Sequence, residues 1–261
     1  MWTWKTRTLL RPSRKCPQGK SPGVLAKIFK VFYQPSGVFG FLTKRTEWLI
    51  PFILMILFAN VLGYFIQPIL IQDRAKIIYA QIEKYKDQMP QERYEQVMND
   101  MQQQLEEEKG FKITSFLFIL IFLFVLLVLI TVICLVTGNF AFGGKANFWI
   151  VMNVVAYAGL IGLLGDIVRD LLTLTKGTSY VYTGLGLLKP VEDSSFWYYF
   201  FKQIDVFSIW RIITASIGLG IIYKMKPAKF AYVLFSVWII VILVLAVVNI
   251  FAAGSFSLFY I

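Results

Sequence analysis

Phe116-Leu117-Phe118-Ile119-Leu120-Ile121-Phe122-Leu123-Phe124-Val125-Leu126-Leu127-Val128-Leu129-Ile130 is an uninterrupted apolar run, and it sits within 32 residues, between Lys112 and Lys145, that carry no charge. Core helices of soluble proteins are shorter and amphipathic. About 20 apolar residues in a helix cover the ~30 Å of bilayer hydrocarbon, and such a helix satisfies its own backbone hydrogen bonds where no water is present. The run therefore predicts a membrane span over 113–137. Four other stretches meet the length requirement less purely: 48–71, 148–165, 206–223 and 230–252. In a chain that is 57% hydrophobic and only 16% charged, the expected fold is all-α, a polytopic bundle with five transmembrane helices in one membrane domain over 48–252.

The net charge of +11 raises nucleic acid as a partner, but its placement excludes that reading. Residues 1–47 carry ten Lys and Arg against Glu47 alone, and the short later loops add Lys145, then Lys224, Lys226 and Lys229. Positive charge beside spans marks the cytoplasmic side, so the amino terminus is expected inside and the carboxyl terminus outside a prokaryotic plasma membrane. Lys5 and Arg7 occupy the place where a signal peptide would have its apolar stretch, so the first span is expected to serve as its own insertion signal. Cys16 and Cys134 fall on or near the reducing side, and no disulfide is expected.

Residues 1–23 are polar, basic and contain three prolines, which describes a disordered tail. Leu25, Ile28, Phe29 and Phe32 then recur at helical spacing between Lys27 and Lys30, which predicts an amphipathic juxtamembrane helix within 24–47. It would lie in the surface of an anionic leaflet or pack on the bundle. The hydrophilic insertion 73–112 reads as a helical hairpin outside the membrane. Its stripes, Ile78-Ile82-Tyr85-Met89 and Tyr94-Val97-Met98-Met101-Leu105, are separated by Pro90 and would bury each other. The aromatic block Phe196 to Phe201 belongs at a lipid–water boundary.

Gly138 to Lys145 superficially resembles a phosphate loop, but Asn139 stands where the motif needs Gly, Ala146 follows the Lys, and no strand precedes it. A tight turn between spans, with glycines at positive φ, accounts for it. Gly159, Gly162 and Gly165 in the third span, and Gly218 and Gly220 in the fourth, are expected to let those spans approach closely. Asp166, Arg169 and Asp170 end the third span, and Asp205 and Arg211 flank the start of the fourth. This polar cluster is either structural, through capping and ion pairs, or functional; Arg211, over a turn inside its helix, is expected to seek Asp166 or Asp170. The chain has no His, and no set of residues suited to catalysis, metal binding or a cofactor emerges.

Pro35, Phe39, Trp48 and Pro51, the turn Gly143-Gly144-Lys145-Ala146-Asn147-Phe148, Tyr157, and Asp205-Val206-Phe207-Ser208-Ile209-Trp210 followed by Gly218, Tyr223-Lys224 and Trp238 together resemble the prokaryotic branch of the Yip family, the Ypt/Rab-interacting membrane proteins. Gly143, Gly144, Lys145, Phe207 and Trp210 carry the most specific part. The resemblance implies a five-span protein with a cytoplasmic amino terminus and no catalytic residues; eukaryotic relatives bind small GTPases in vesicle traffic. Their Asp-Leu-Tyr-Gly-Pro signature is absent here, which argues against carrying GTPase binding over. The expected function is that of a non-enzymatic membrane-organising or adaptor component, with membrane-protein partners or self-association. The alternative is a small permease or channel subunit with a path between the third and fourth spans.

Overall fold

The computed structural model describes residues 22–84, 86–88, 90–107, 113–188 and 195–258. The basic tail expected over 1–23 therefore lies, apart from Pro22 and Gly23, outside the described residues, as do Cys16, Tyr85 and Met89. Among the described residues the chain forms nine α-helices: α1 (Val24–Tyr33), α2 (Pro35–Leu42), α3 (Leu49–Lys84), α4 (Gln91–Glu107), α5 (Ile113–Val136), α6 (Phe148–Lys176), α7 (Phe196–Lys202), α8 (Val206–Ile222) and α9 (Pro227–Leu258). Four of them, α3, α5, α6 and α9, are long and apolar enough to cross a membrane. The fifth apolar helix, α8, has 17 residues and so spans about 26 Å, slightly less than the ~30 Å of a typical core. The fold is an all-α polytopic bundle.

Helix α6 is its axis. Of its most apolar window 61% is buried in protein, against 11% for α3 and for α9, and it packs on α3, α5 and α8. The sequence of α6 explains why: Ala156, Ala158, Gly159, Gly162 and Gly165 leave room on several sides for neighbouring backbones, which is how helices associate where lipid removes the hydrophobic driving force. The lipid-facing helices show the opposite pattern, with Phe118, Ile121, Phe122 and Val125 of α5 pointing outward.

The hairpin expected over 73–112 begins differently from its sequence pattern. No loop separates its first arm from the first span, because α3 runs for 36 residues to Lys84, straight through Pro68. Gln72, Asp73, Arg74, Ala75 and Lys76 are all compatible with a helix, so nothing stops propagation at the membrane boundary. The two arms meet through Ile71, Met101 and Leu105, with Ala75, Ile78 and Tyr79 beside them.

The amino-terminal region also departs from a single amphipathic helix lying flat. Pro35 opens a second helix at its first position, where a missing N–H costs nothing, and α1 and α2 fold back on each other. Lys27 near the start of α1 pairs with Glu47 beyond the end of α2, while Phe32 at the far end of α1 meets Trp210 edge-on at 6.0 Å and Phe39 of α2 lies against Gly218. Trp210 and Gly218 are roughly 12 Å apart along α8, so the turn at Gln34–Pro35 reaches alongside the interior of that helix. Ile28, Val31, Val38, Phe39 and Leu42 join the main core. The opposite face of α1 presents Leu25, Phe29 and Tyr33, 72%, 68% and 72% exposed in the protein alone. Packing on the bundle and an apolar outer face thus coexist on one short helix.

Candidate functional site

Asn153, on α6, is a fully buried polar residue of the bundle. Its Oδ1 accepts the Glu47 N–H at 2.8 Å, and its Nδ2 donates to the carbonyls of Arg45 at 2.6 Å and Leu42 at 3.3 Å. The segment after α2 has no helix to satisfy those backbone groups, and Asn153 supplies the missing partners. Glu47, held there, accepts from Lys27 Nζ at 2.8 and 2.7 Å and from the Tyr157 hydroxyl at 3.4 Å. The side chains of Lys27 and Glu47 are only 3% and 14% exposed. A buried ion pair of this kind orients elements more than it stabilises them. Here it fixes the α1–α2 pair against α6. Sequence reasoning missed the node, although Glu47 as the lone acid among ten positives and Asn153 inside an apolar span were the available signals.

The Gly143-Gly144-Lys145 turn is built around an aromatic ring. Only Gly143 has positive φ, at 67°. Gly144 and Gly138 are glycines for space: a Cβ on them would lie 2.3 Å and 2.1 Å from ring atoms of Tyr223, which lies in the slot between them. Asn139 closes the loop, donating to the Ala146 carbonyl at 3.2 Å and accepting the Ala146 N–H at 3.0 Å, and Asn147 caps α6 by accepting from Trp149 N–H. Lys145 is exposed.

At the other end of α6 the charged residues divide. Asp166 pairs with Arg169 one turn along the same helix, and not with Arg211. Asp205 is the N-cap of α8, its Oδ1 accepting the N–H groups of Phe207 at 2.8 Å and Ser208 at 2.9 Å. Arg211 lies across Gly162, where a Cβ would come 3.2 Å from its Nη1. The direct ion pair expected for it with Asp166 or Asp170 does not form: among the described residues no acidic oxygen comes within 4.0 Å of Arg211, which acts on Asp166 only at longer range, and the Asp170 side chain likewise makes no ion pair or hydrogen bond. The reason is local, since Arg169 on the same helix reaches Asp166 first.

Of the glycines singled out by sequence, Gly165 and Gly218 form the close α6–α8 contact, with a Cβ there meeting Phe207 at 2.7 Å and Val154 at 2.5 Å, and Gly162 receives Arg211. Gly159 instead faces Met55 of α3, and Gly220 faces Pro227, the first residue of α9. A second polar node, also missed, lies where α3 leaves the bundle: Asp73 accepts from Ser179 N–H at 2.6 Å and from the hydroxyls of Ser179 and Thr178, tying the loop after α6 to the hairpin. Next to it Tyr182 hydrogen-bonds Tyr198 of α7, and burial together with that bond pushes the Tyr182 phenol above its usual range.

Between α3, α5, α6, α8 and α9 lies a cavity of about 400 Å³ whose walls are mostly aliphatic and aromatic side chains and whose charged groups are Asp166, Asp170 and Arg211. Among the described residues no three His, Cys, Asp or Glu side chains come together as a metal site.

The profile of the Yip1 domain matches residues 29–248, from the first helix to the last. Comparisons with curated proteins and with solved structures gave no match. A match over that much of the chain, on a bundle of apolar helices long enough to cross a bilayer, makes this a multi-pass membrane protein belonging to the Yip1 domain family.

Proposed function

We propose that the protein is a non-enzymatic membrane-organising component of a prokaryotic plasma membrane, with its amino terminus and the Gly-Gly-Lys turn on the cytoplasmic side. The observation that carries this reading is the folded-back α1–α2 pair, which runs beside α8 from Gly218 to Trp210. Its turn reaches past the middle of α8 towards Trp210, its outer face offers Leu25, Phe29 and Tyr33 to lipid, and the Lys27–Glu47–Asn153 node holds it to α6. A rigid wedge that occupies the two leaflets unequally bends a bilayer, whereas a mobile amphipathic segment would adjust to it. Lys30, Lys44 and Arg45 add attraction to anionic headgroups, each worth roughly 1 kcal/mol near such a surface. Membrane-protein partners and self-association remain consistent with this role and are read out by copurification from mild detergent.

A permease path between α6 and α8 has little to support it. Phe207 on Gly165 and Val154 on Gly218 fill that contact, and the neighbouring cavity is lined mostly by hydrocarbon, with Asp166, Asp170 and Arg211 as its charged groups. Reconstitution into liposomes separates the two readings. Wild-type protein is expected to narrow the vesicles seen by electron cryomicroscopy without releasing a trapped anion, and Leu25→Ser/Phe29→Ser/Tyr33→Ser is expected to restore their original diameter. Vesicles of unchanged shape, or protein-dependent anion release, would overturn the proposal.

A further inference from the structure

The cavity between α3, α5, α6, α8 and α9 has the size of a small-molecule site, about 400 Å³ against the ~300–1,000 Å³ usual for such pockets. Met55, Leu62, Leu126, Ile130 and Trp238 contribute to its walls. Apolar cavities of this kind hold no ordered water. Its lining changes character where Asp170 of α6 and Arg211 of α8 enter it. Asp166, which also lines it, is engaged by Arg169. Asp170 and Arg211, an anion and a cation on different helices, make no direct hydrogen bond or ion pair among the described residues; Arg169 and Asp166 respectively act on them only at longer range. Arg211 lies over a turn inside its helix, where a charge is expensive unless matched, Asp170 lies at the end of the third span, and the two do not meet within 4.0 Å.

The charge pattern selects the ligand. A fatty-acid carboxylate or a free phosphate would serve Arg211 and bring a like charge towards Asp170. An anionic phospholipid with an uncharged headgroup alcohol would also leave Asp170 alone. A zwitterionic phospholipid carries a phosphate and an ammonium a few bonds apart, together with acyl chains that suit the hydrocarbon walls. We propose that this cavity binds one zwitterionic phospholipid, its phosphate on Arg211, its ammonium on Asp170 and an acyl chain between α3 and α5. Because the chain would otherwise lie in equally apolar bilayer, affinity and headgroup choice rest on the two charges. The site lies apart from the α1–α2 face, and the proposal stands or falls independently of the curvature reading.

The test uses the full chain in detergent, supplied with phosphatidylethanolamine or phosphatidylglycerol of identical chains, with retained lipid counted by native mass spectrometry. The wild type is expected to keep one phosphatidylethanolamine and to hold phosphatidylglycerol at least tenfold less well. Arg211→Gln should weaken both lipids. Asp170→Asn should weaken phosphatidylethanolamine alone and so erase the preference, which a merely destabilised protein would not do. Ala59→Phe, placed on the cavity wall with both charges intact, should expel either lipid; thermal unfolding without lipid confirms that each variant folds. Equal retention of the two lipids by the wild type, a preference that survives Asp170→Asn, or phosphatidylethanolamine held by a folded Ala59→Phe protein would each overturn the proposal. Thermal stabilisation by inorganic phosphate equal to that by phosphatidylethanolamine would also overturn it, by reducing the site to an ion site.

Discussion

Replacing Asn153 by Leu removes the amide while keeping the same branched heavy-atom skeleton, so it tests what the buried hydrogen bonds contribute. Three hydrogen bonds disappear, at 2.8, 3.3 and 2.6 Å, and the N–H of Glu47 and the carbonyls of Leu42 and Arg45 are left without them in a site that is fully closed to solvent. Side-chain bonds between helices in membrane proteins average ~0.6 kcal/mol, which sets a floor of about 2 kcal/mol for three. At the ~1.5 kcal/mol upper range for buried bonds the loss is about 4–5 kcal/mol. We expect about 3 kcal/mol. The matched control is Thr131→Val: Thr131 is as buried as Asn153, but its hydroxyl bonds only the Leu127 carbonyl of its own helix, at 2.7 Å, so its removal should cost under ~0.5 kcal/mol. Unfolding by SDS in mixed micelles, followed through the fluorescence of the seven tryptophans, measures both. If Asn153→Leu unfolds with Thr131→Val and the wild type, the node does not hold α1 and α2 in place, and the rigidity on which the curvature reading depends is gone.

Lys27→Met and Glu47→Gln should each destabilise by roughly 3 kcal/mol while the double variant loses less than either, because an unpaired buried charge costs more than no charge; additive losses in the same SDS titration would refute the pairing. Gly218→Leu should cost several times more than Gly162→Leu in thermal unfolding, since the first drives a side chain into Val154 and Phe39 and the second meets only the end of the flexible Arg211 chain; equal effects would contradict the packing. The Tyr94 hydroxyl, donating to Glu83 at 2.9 Å, and then Lys86 hold the Glu83 carboxyl below its ordinary 4.5. That contact therefore helps the hairpin at neutral pH and is lost as pH falls through the lowered value, so Tyr94→Phe should move the Glu83 titration seen by NMR upward; an unchanged titration would refute the contact. A Gln103→Cys variant in a Cys16→Ser background should react with a membrane-impermeant maleimide in intact cells, and absence of labelling would reverse the orientation.

What could be read from sequence was whatever depends on composition within one helix. The charge-free run around Phe116–Ile130 announces α5. What depends on distant partners was hidden. Nothing near Asp73 indicates that it receives the backbone of Ser179, and nothing near Lys27 indicates that Glu47 turns back to meet it. The end of α3 was misplaced for a different reason. Hydropathy falls at Gln72, but a helix ends where its backbone is capped or broken, and no residue there does either. Arg211 shows the limit of pairing by proximity, since Asp205 is taken by the N-cap and Asp166 by Arg169 before Arg211 can compete.

The ring of Tyr223 between Gly138 and Gly144 also sets an order of events during biogenesis. The slot belongs to the junction of α5 and α6, which leaves the ribosome well before the residue that fills it. Chains grow at roughly 5–20 residues per second, so for seconds the α5–α6 turn exists without its closing piece. The nascent turn stays open until α8 has been inserted, and from that moment two loops far apart in synthesis are clamped together. A chain stalled before α8 would present the Gly-Gly-Lys turn unlocked, which gives a quality-control factor a physical difference by which to tell an unfinished molecule from a finished one.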